Sequence, residues 1–200
     1  MRTARFECSL LAALALAAAG PVMIEARQHD THAVRASDQA RTSEEEKQLN
    51  ALVAIVREAT ERFRDVNVAQ AEGYALQFGC VSGPDTGAMG LHYVKGSLVG
   101  DDVLDPTRPE IVIYEPQPDG RLKLIGADFL VLKDVWDAKH PAPPQIMGQL
   151  MHLFEAPNRF GLPPFYTLHV WAWKSNPNGA FVNWHPRVSC DGFGGGDAAR

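Results

Sequence analysis

The chain has 200 residues, 46% hydrophobic and 22% charged, with a formal net charge of −5 at neutral pH. A mildly acidic chain without a basic block is a poor partner for nucleic acid or for an anionic membrane surface. The length suits one domain large enough to bury a sizeable core.

Arg2 and Arg5 precede an apolar run, residues 10–19, that is too short to span a bilayer, which needs about 20 apolar residues. Residues 1–26 therefore read as an export signal, with a buried N-terminal helix as the alternative, and the expected location is secreted or periplasmic. No later segment is apolar enough to be transmembrane, so no membrane partner is expected once the signal is removed. Removal takes Cys8 and leaves Cys80 and Cys190. An even pair in an exported chain points to a disulfide. Soft metal ligation is the rival reading, although neither cysteine has a CxxC or CxxH spacing.

Residues 27–42 are polar and unpatterned, a flexible segment. Ser43 followed by Glu46 forms a capping box, and Leu49, Leu52, Val53, Val56, Ala59, Phe63 and Val66 then recur at helical spacing. This predicts a long amphipathic helix, broken near Asp65 and stopped by Gly73. The period then changes. Residues 74–78, 88–94, 111–115, 122–132, 165–173 and 180–185 read as strands, with a turn at 117–120 and a hairpin turn at Asn176–Gly179. Pro143 and Pro144 open a short inserted helix over 145–155. The expected fold is α+β: an antiparallel curved sheet or half-barrel of about six strands behind a long N-terminal helix. Residues 43–191 form this single domain, and the glycine-rich residues 192–200 form a disordered tail.

Alternation sets Phe165, Thr167, His169, Trp171 and Trp173 on one face of a strand. If Asn176 pairs with Ala180, His185 faces Trp171 and lies diagonal to His169, within roughly 7–8 Å. His92 lies beside Gly90 on another strand, where a missing side chain allows close approach to the backbone. Glu115 shares a face with Ile111 and Ile113, and Asp128 stands among leucines. A carboxylate on an apolar face needs a partner. Three strand imidazoles and a carboxylate suit a divalent transition metal (Zn, Cu or Fe) with an open position. His92, His169 and His185 are the candidate ligands, and Glu115 or Asp128 a fourth ligand or catalytic base. A histidine satisfied in the core is the competing reading for each, since no HxH or HExxH is present.

Trp171, Trp173, Asn183 and His152 are candidates for the wall of a substrate pocket, His152 from a lid helix on which it neighbours Glu155. The aromatics are equally readable as core. No GxSxG elbow, GxGxxG or phosphate loop is present, which leaves nucleophile and nucleotide chemistry without support.

The blocks GYALQFGCV, GAMGLHYV, PEIVIYEP, MHLFEAPNRFGLPPFYTLHVWAW and NPNGAFVNWHPRVSC, spread over residues 73–190, resemble a family of uncharacterised exported bacterial proteins. That resemblance implies export and carries no activity. The residues themselves lead to an exported protein acting on a small molecule through a histidine-lined, metal-binding, aromatic-walled site. The alternative is a non-catalytic module that binds a hydrophobic small molecule or a partner protein.

Overall fold

The computed structural model describes residues 31–194, with side chains from Ser43 onward. The expected signal at 1–26 and the tail from 195 lie outside the described residues. Helix α1 (Thr31–Thr60) starts ahead of the Ser43 capping box. Residues 31–42 contain neither glycine nor proline, so nothing in their chemistry stops a helix there. A 3-10 turn (Glu61–Arg64) and α2 (Val66–Ala71) follow, and the break falls where expected. Asp65 caps α2, its carboxylate accepting the backbone N–H of Asn67 at 3.0 Å.

Strands β1 (Ala75–Gly83) and β2 (Gly87–Val94) lead into the one-turn α3 (Gly96–Val99). Strands β3 (Ile111–Pro116) and β4 (Leu122–Leu132) form the hairpin expected around Gly120, and α4 (Lys133–Asp137) follows. Then come the short strands β5 (Gln145–Ile146), β6 (Gln149–Leu150) and β7 (His152–Phe154), and finally β8 (Phe165–Val170). The main sheet is antiparallel, in the order β1-β2-β3-β4-β8-β7, and it curls into a half-barrel. The architecture is α+β, as the alternation and the helical stripe predict.

Period-two alternation divides the work of the two sheet faces. From β4 and β8, Ala127, Phe129, Val131, Tyr166, Leu168 and Val170 point to one side, where they pack with Leu52 and Val56 of α1. Asp128, Leu130, Thr167 and His169 point to the other. The helix therefore closes one face and leaves polar groups of the opposite face to find partners among themselves. Cys80 on β1 is bonded to Cys190, with Cα atoms 5.8 Å apart, which fastens the sheet's first strand to the chain's exit.

Two expected elements are absent among the described residues. The inserted helix at 145–155 is instead the β5–β6 hairpin followed by β7. Met147 and Gly148 take φ of 47° and 81° and turn the chain back, and β7 then adds to the sheet edge by pairing with β8. The short helix of the insert is α4, immediately after β4. The strand expected at 180–185 does not form either. The turn at 176–179 is present, with Gly179 N–H donating to Asn176 O at 3.1 Å. Beyond Val170, however, Ala172 N–H bonds back to Val170 O, while Trp173 and Lys174 both donate to Ile125 O. This kink takes donors that a hairpin ladder would need: the returning chain keeps one backbone bond to the outgoing strand, Trp171 N–H to Ala180 O at 3.0 Å, and then meets the sheet at a bridge between His185 and Ala88.

Candidate metal centre

The main-sheet register assembles the site. Ile111 pairs with Asp128, which pairs with His169, so β3, β4 and β8 present one row of side chains. In the neighbouring row His92 pairs with Ile113, which pairs with Gly126. Gly90 is needed on β2: its φ is +96°, and a Cβ there would meet Tyr114 O at 2.6 Å. The close approach that Gly90 permits is thus made by the adjoining strand, and Gly90 in turn offers its carbonyl to His92.

His92, Asp128 and His169 are each buried to within 4% of full occlusion, and one ligand atom from each lies within 4.8 Å of the others. Three gaps run in series: 3.2 Å from Gly90 O to His92 Nδ1, 3.4 Å between the two Nε2 atoms, and 3.5 Å from His169 Nδ1 to Asp128 Oδ2. Burial holds both imidazoles neutral, His92 pushed down to about 4 with help from His169, and His169 to about 3 with help from His152. Two neutral imidazoles carry two protons, one too few for three gaps when Asp128 is ionised. Either a proton on Asp128 or a cation between the rings completes the series.

Burial also raises Asp128 to about 6, against the opposing pull of the Thr167 hydroxyl, which donates to its Oδ1 at 2.6 Å. Thr167 thereby fixes the carboxylate beside His169. His169 Nδ1 makes no hydrogen bond of good geometry, and neither does the buried Oδ1 of Asn183, the other polar group beside it. Asn183 thus adjoins the site, but as a neighbour of His169 and not as a pocket wall.

The cluster forms one end of a cavity of about 20 Å³, room for a single water or ion. The rest of its wall is apolar and includes Phe78, Met89, Phe154, Phe160, Leu162 and Phe165. Four of these rings make a continuous group, with centroids 5.3 Å apart for Phe78–Phe160 and 5.1 Å for the stacked Phe154–Phe165. The aromatic wall is phenylalanine, and neither Trp171 nor Trp173 lines this cavity. The sequence signal for it was the Phe78-Gly79 pair inside a strand, a bulge signature.

The other candidates lie elsewhere. His185 is fully buried, but its Nε2 contacts Ser175 O at 3.1 Å and its Nδ1 accepts Arg187 N–H at 3.0 Å. Both ring nitrogens serve the main chain, which makes it a structural histidine. Glu115 is held in an ion pair with Lys174 at 2.6 Å and is not among the ligand atoms that His92, Asp128 and His169 bring together. It is neither ligand nor base here. Trp171 donates to Val182 O at 2.6 Å and packs in the core. Trp173 donates to Thr60 on α1 and lines a different surface hollow with Arg64 and Lys123. His152 is on no helix: it lies on β7 opposite Thr167, exposed at the sheet edge.

Comparison with family models, with curated proteins and with solved structures finds no match. The functional reading rests on the site. No helix of the described residues is long and apolar enough to cross a membrane, which together with the disulfide is compatible with an exported protein.

Proposed function

We propose that this is an exported protein that holds a divalent transition metal with His92, His169 and Asp128 and acts through it on a small organic molecule. The observation that carries the reading is the 3.4 Å between the two Nε2 atoms. Two nitrogens each about 2.0–2.1 Å from a tetrahedral metal are about 3.4 Å apart, so the imidazoles already span one edge of such a centre. The surroundings support it. Gly90 O takes the remaining N–H of His92, the kind of contact that orients a metal-bound histidine. With three protein ligands, a fourth position stays open toward the cavity.

The test is the metal content of protein purified without a histidine tag, measured again for His92→Ala combined with His169→Ala. One metal per chain in the wild type and none in the double variant is the expected result. Equal, substoichiometric metal in both would overturn the reading. It would leave the four-phenylalanine wall as the mark of a non-catalytic module for a hydrophobic small molecule, its Asp128 protonated.

A further inference from the structure

We infer that the substrate of this site is a small apolar molecule with a single polar head, admitted from a surface groove past the side chain of Phe78. The inference rests on the metal-centre reading for what happens at the head group. The route itself rests on separate observations.

The cavity at the imidazoles holds no more than a water, so no organic molecule reaches the cluster unless a wall moves. Beside it lies a groove of about 270 Å³, close to the lower end of the range for small-molecule sites, roughly 300 Å³. Its floor and sides include Gln77, Val94 and Val99, next to α3, and no charged side chain lines it. Groove and cavity share four residues: Phe78, Ile111, Leu130 and Leu162. These four are the partition.

Three of the four are fixed. Ile111 and Leu130 are buried residues of the paired strands β3 and β4. Leu162 belongs to a loop braced by Asn158, whose side chain accepts from Phe160 and Leu162 N–H and donates to Leu162 O. Phe78 is different. Gln77 pairs with His92 and Cys80 with Leu91, so Phe78 and Gly79 are extra residues without ladder partners, inserted between the pairs made by His92 and Leu91. Phe78 takes φ of 64°, a left-handed conformation that a bulky residue rarely adopts. Bulges of this kind re-aim side chains next to functional sites. Here the bulge sets a half-exposed ring against Phe160, over the boundary between groove and cluster.

The lining defines the ligand. Beyond the partition the incoming molecule meets phenylalanine, methionine and leucine on every side except where His92, His169, Asp128 and Thr167 stand. A polar body has no partner there, whereas one hydroxyl or similar head group meets the two imidazoles.

Phenol serves as the probe, titrated into metal-free protein and followed by NMR, with metal stoichiometry measured in parallel. Wild-type protein is expected to bind phenol saturably with contacts to Phe78, Ile111 and Leu130. Phe78→Ala should exchange it about tenfold faster, which is a barrier lower by about 1.4 kcal/mol. Phe78→Leu, which keeps an apolar side chain at the bulge, should fall between them and stands in if the alanine variant does not fold. Absence of saturable phenol binding, contacts confined to another surface, or exchange rates unchanged by both substitutions would overturn the route. Phenol binding without metal in any preparation would spare the route and remove the metal centre. Metal without phenol binding would do the reverse.

Discussion

The Nε2 atoms of His92 and His169 meet at 3.4 Å although their strands are not neighbours. β2 and β8 are three strand spacings apart in the sheet order, about 14 Å if the sheet were flat. Curling of the sheet, with glycines at positions 90 and 126 where backbones press close, folds the two histidine-bearing strands toward each other. A Cβ on Gly126 would come within 2.6 Å of Val170 O, next to the residue that begins the kink after β8. The curvature of the sheet and the existence of the site are thus one property.

Metal binding to the native state alone raises stability by mass action, by about 2.7 kcal/mol at a hundredfold excess over the dissociation constant. Zinc added to metal-free wild-type protein should raise Tm, and His169→Ala should abolish that rise. Glu115→Gln and His185→Ala are the contrasting variants. Each removes a candidate that proves to serve the fold, so each should lower the starting Tm and leave the zinc-induced rise intact. Thermal melts with and without zinc decide it, and a rise lost in Glu115→Gln would return that carboxylate to the centre.

Gly90→Ala should be among the costliest single-methyl additions in the chain. It combines a φ of +96° with a Cβ 2.6 Å from the Tyr114 carbonyl, and both objections are to backbone. Strain of this kind costs on the order of 1–3 kcal/mol before the clash is counted. Because Gly90 O also fixes the His92 ring, zinc affinity should fall along with stability. Urea denaturation and zinc titration of the variant test the two effects separately. Wild-type affinity in a destabilised variant would show that the carbonyl does not position the ring.

The sheet was legible because the alternation is strong where strands are central: the expected range of β4 is the observed one, and Asp128 and His169 fall on the faces their parity assigns. Errors cluster where long-range hydrogen bonds override local pattern. Ile146, Met147, Leu150 and Met151 carry a helical period, yet Met147 and Gly148 turn and the edge of β8 captures the following residues. A hairpin of strands 165–173 and 180–185 would set His185 diagonal to His169. Ile125 O takes the N–H groups of Trp173 and Lys174 instead, a competition between segments almost fifty residues apart that no local signal reveals. His92 was recognised as a candidate from Gly90, but its nearness to His169 depends on curvature across three strand spacings, which a periodicity does not encode.

The disulfide supplies a third prediction. Thiol titration of denatured, unreduced mature protein should find no free thiol from Cys80 and Cys190, whose sulfurs are bonded. Their separation of 110 residues corresponds to about 4–5 kcal/mol of stabilisation in the chain-entropy account. The double Cys→Ala variant should melt well below wild type and yet retain zinc binding, because neither sulfur belongs to the cluster. Two free thiols per chain, or zinc binding lost with the cysteines, would refute this.

Glu110 governs the fourth prediction, although nothing in the sequence singled it out. It is 1% exposed, and its carboxylate accepts the Leu130 N–H at 3.1 Å, taking up a donor of β4 just past the point where β3 begins to pair. Asp128 and Asp101 lie on its acidic side, Tyr74 is close enough to feel its charge, and Lys95 meets it only through the main chain, donating its N–H to Glu110 O. Desolvation dominates and pushes the carboxyl up to about 8 from an ordinary value of 4.5. The folded state therefore keeps a proton that the unfolded chain releases, and between pH 4.5 and 8 stability falls as pH rises. The loss should be on the order of 2–4 kcal/mol across that window. Glu110→Gln retains an oxygen for Leu130 and has no charge to bury, so its stability should stay flatter over the same range and exceed wild type at pH 8. Urea midpoints for both proteins at pH 5 and pH 8 measure the difference directly. Parallel curves would mean that Glu110 is ionised in the folded protein and is compensated by a partner.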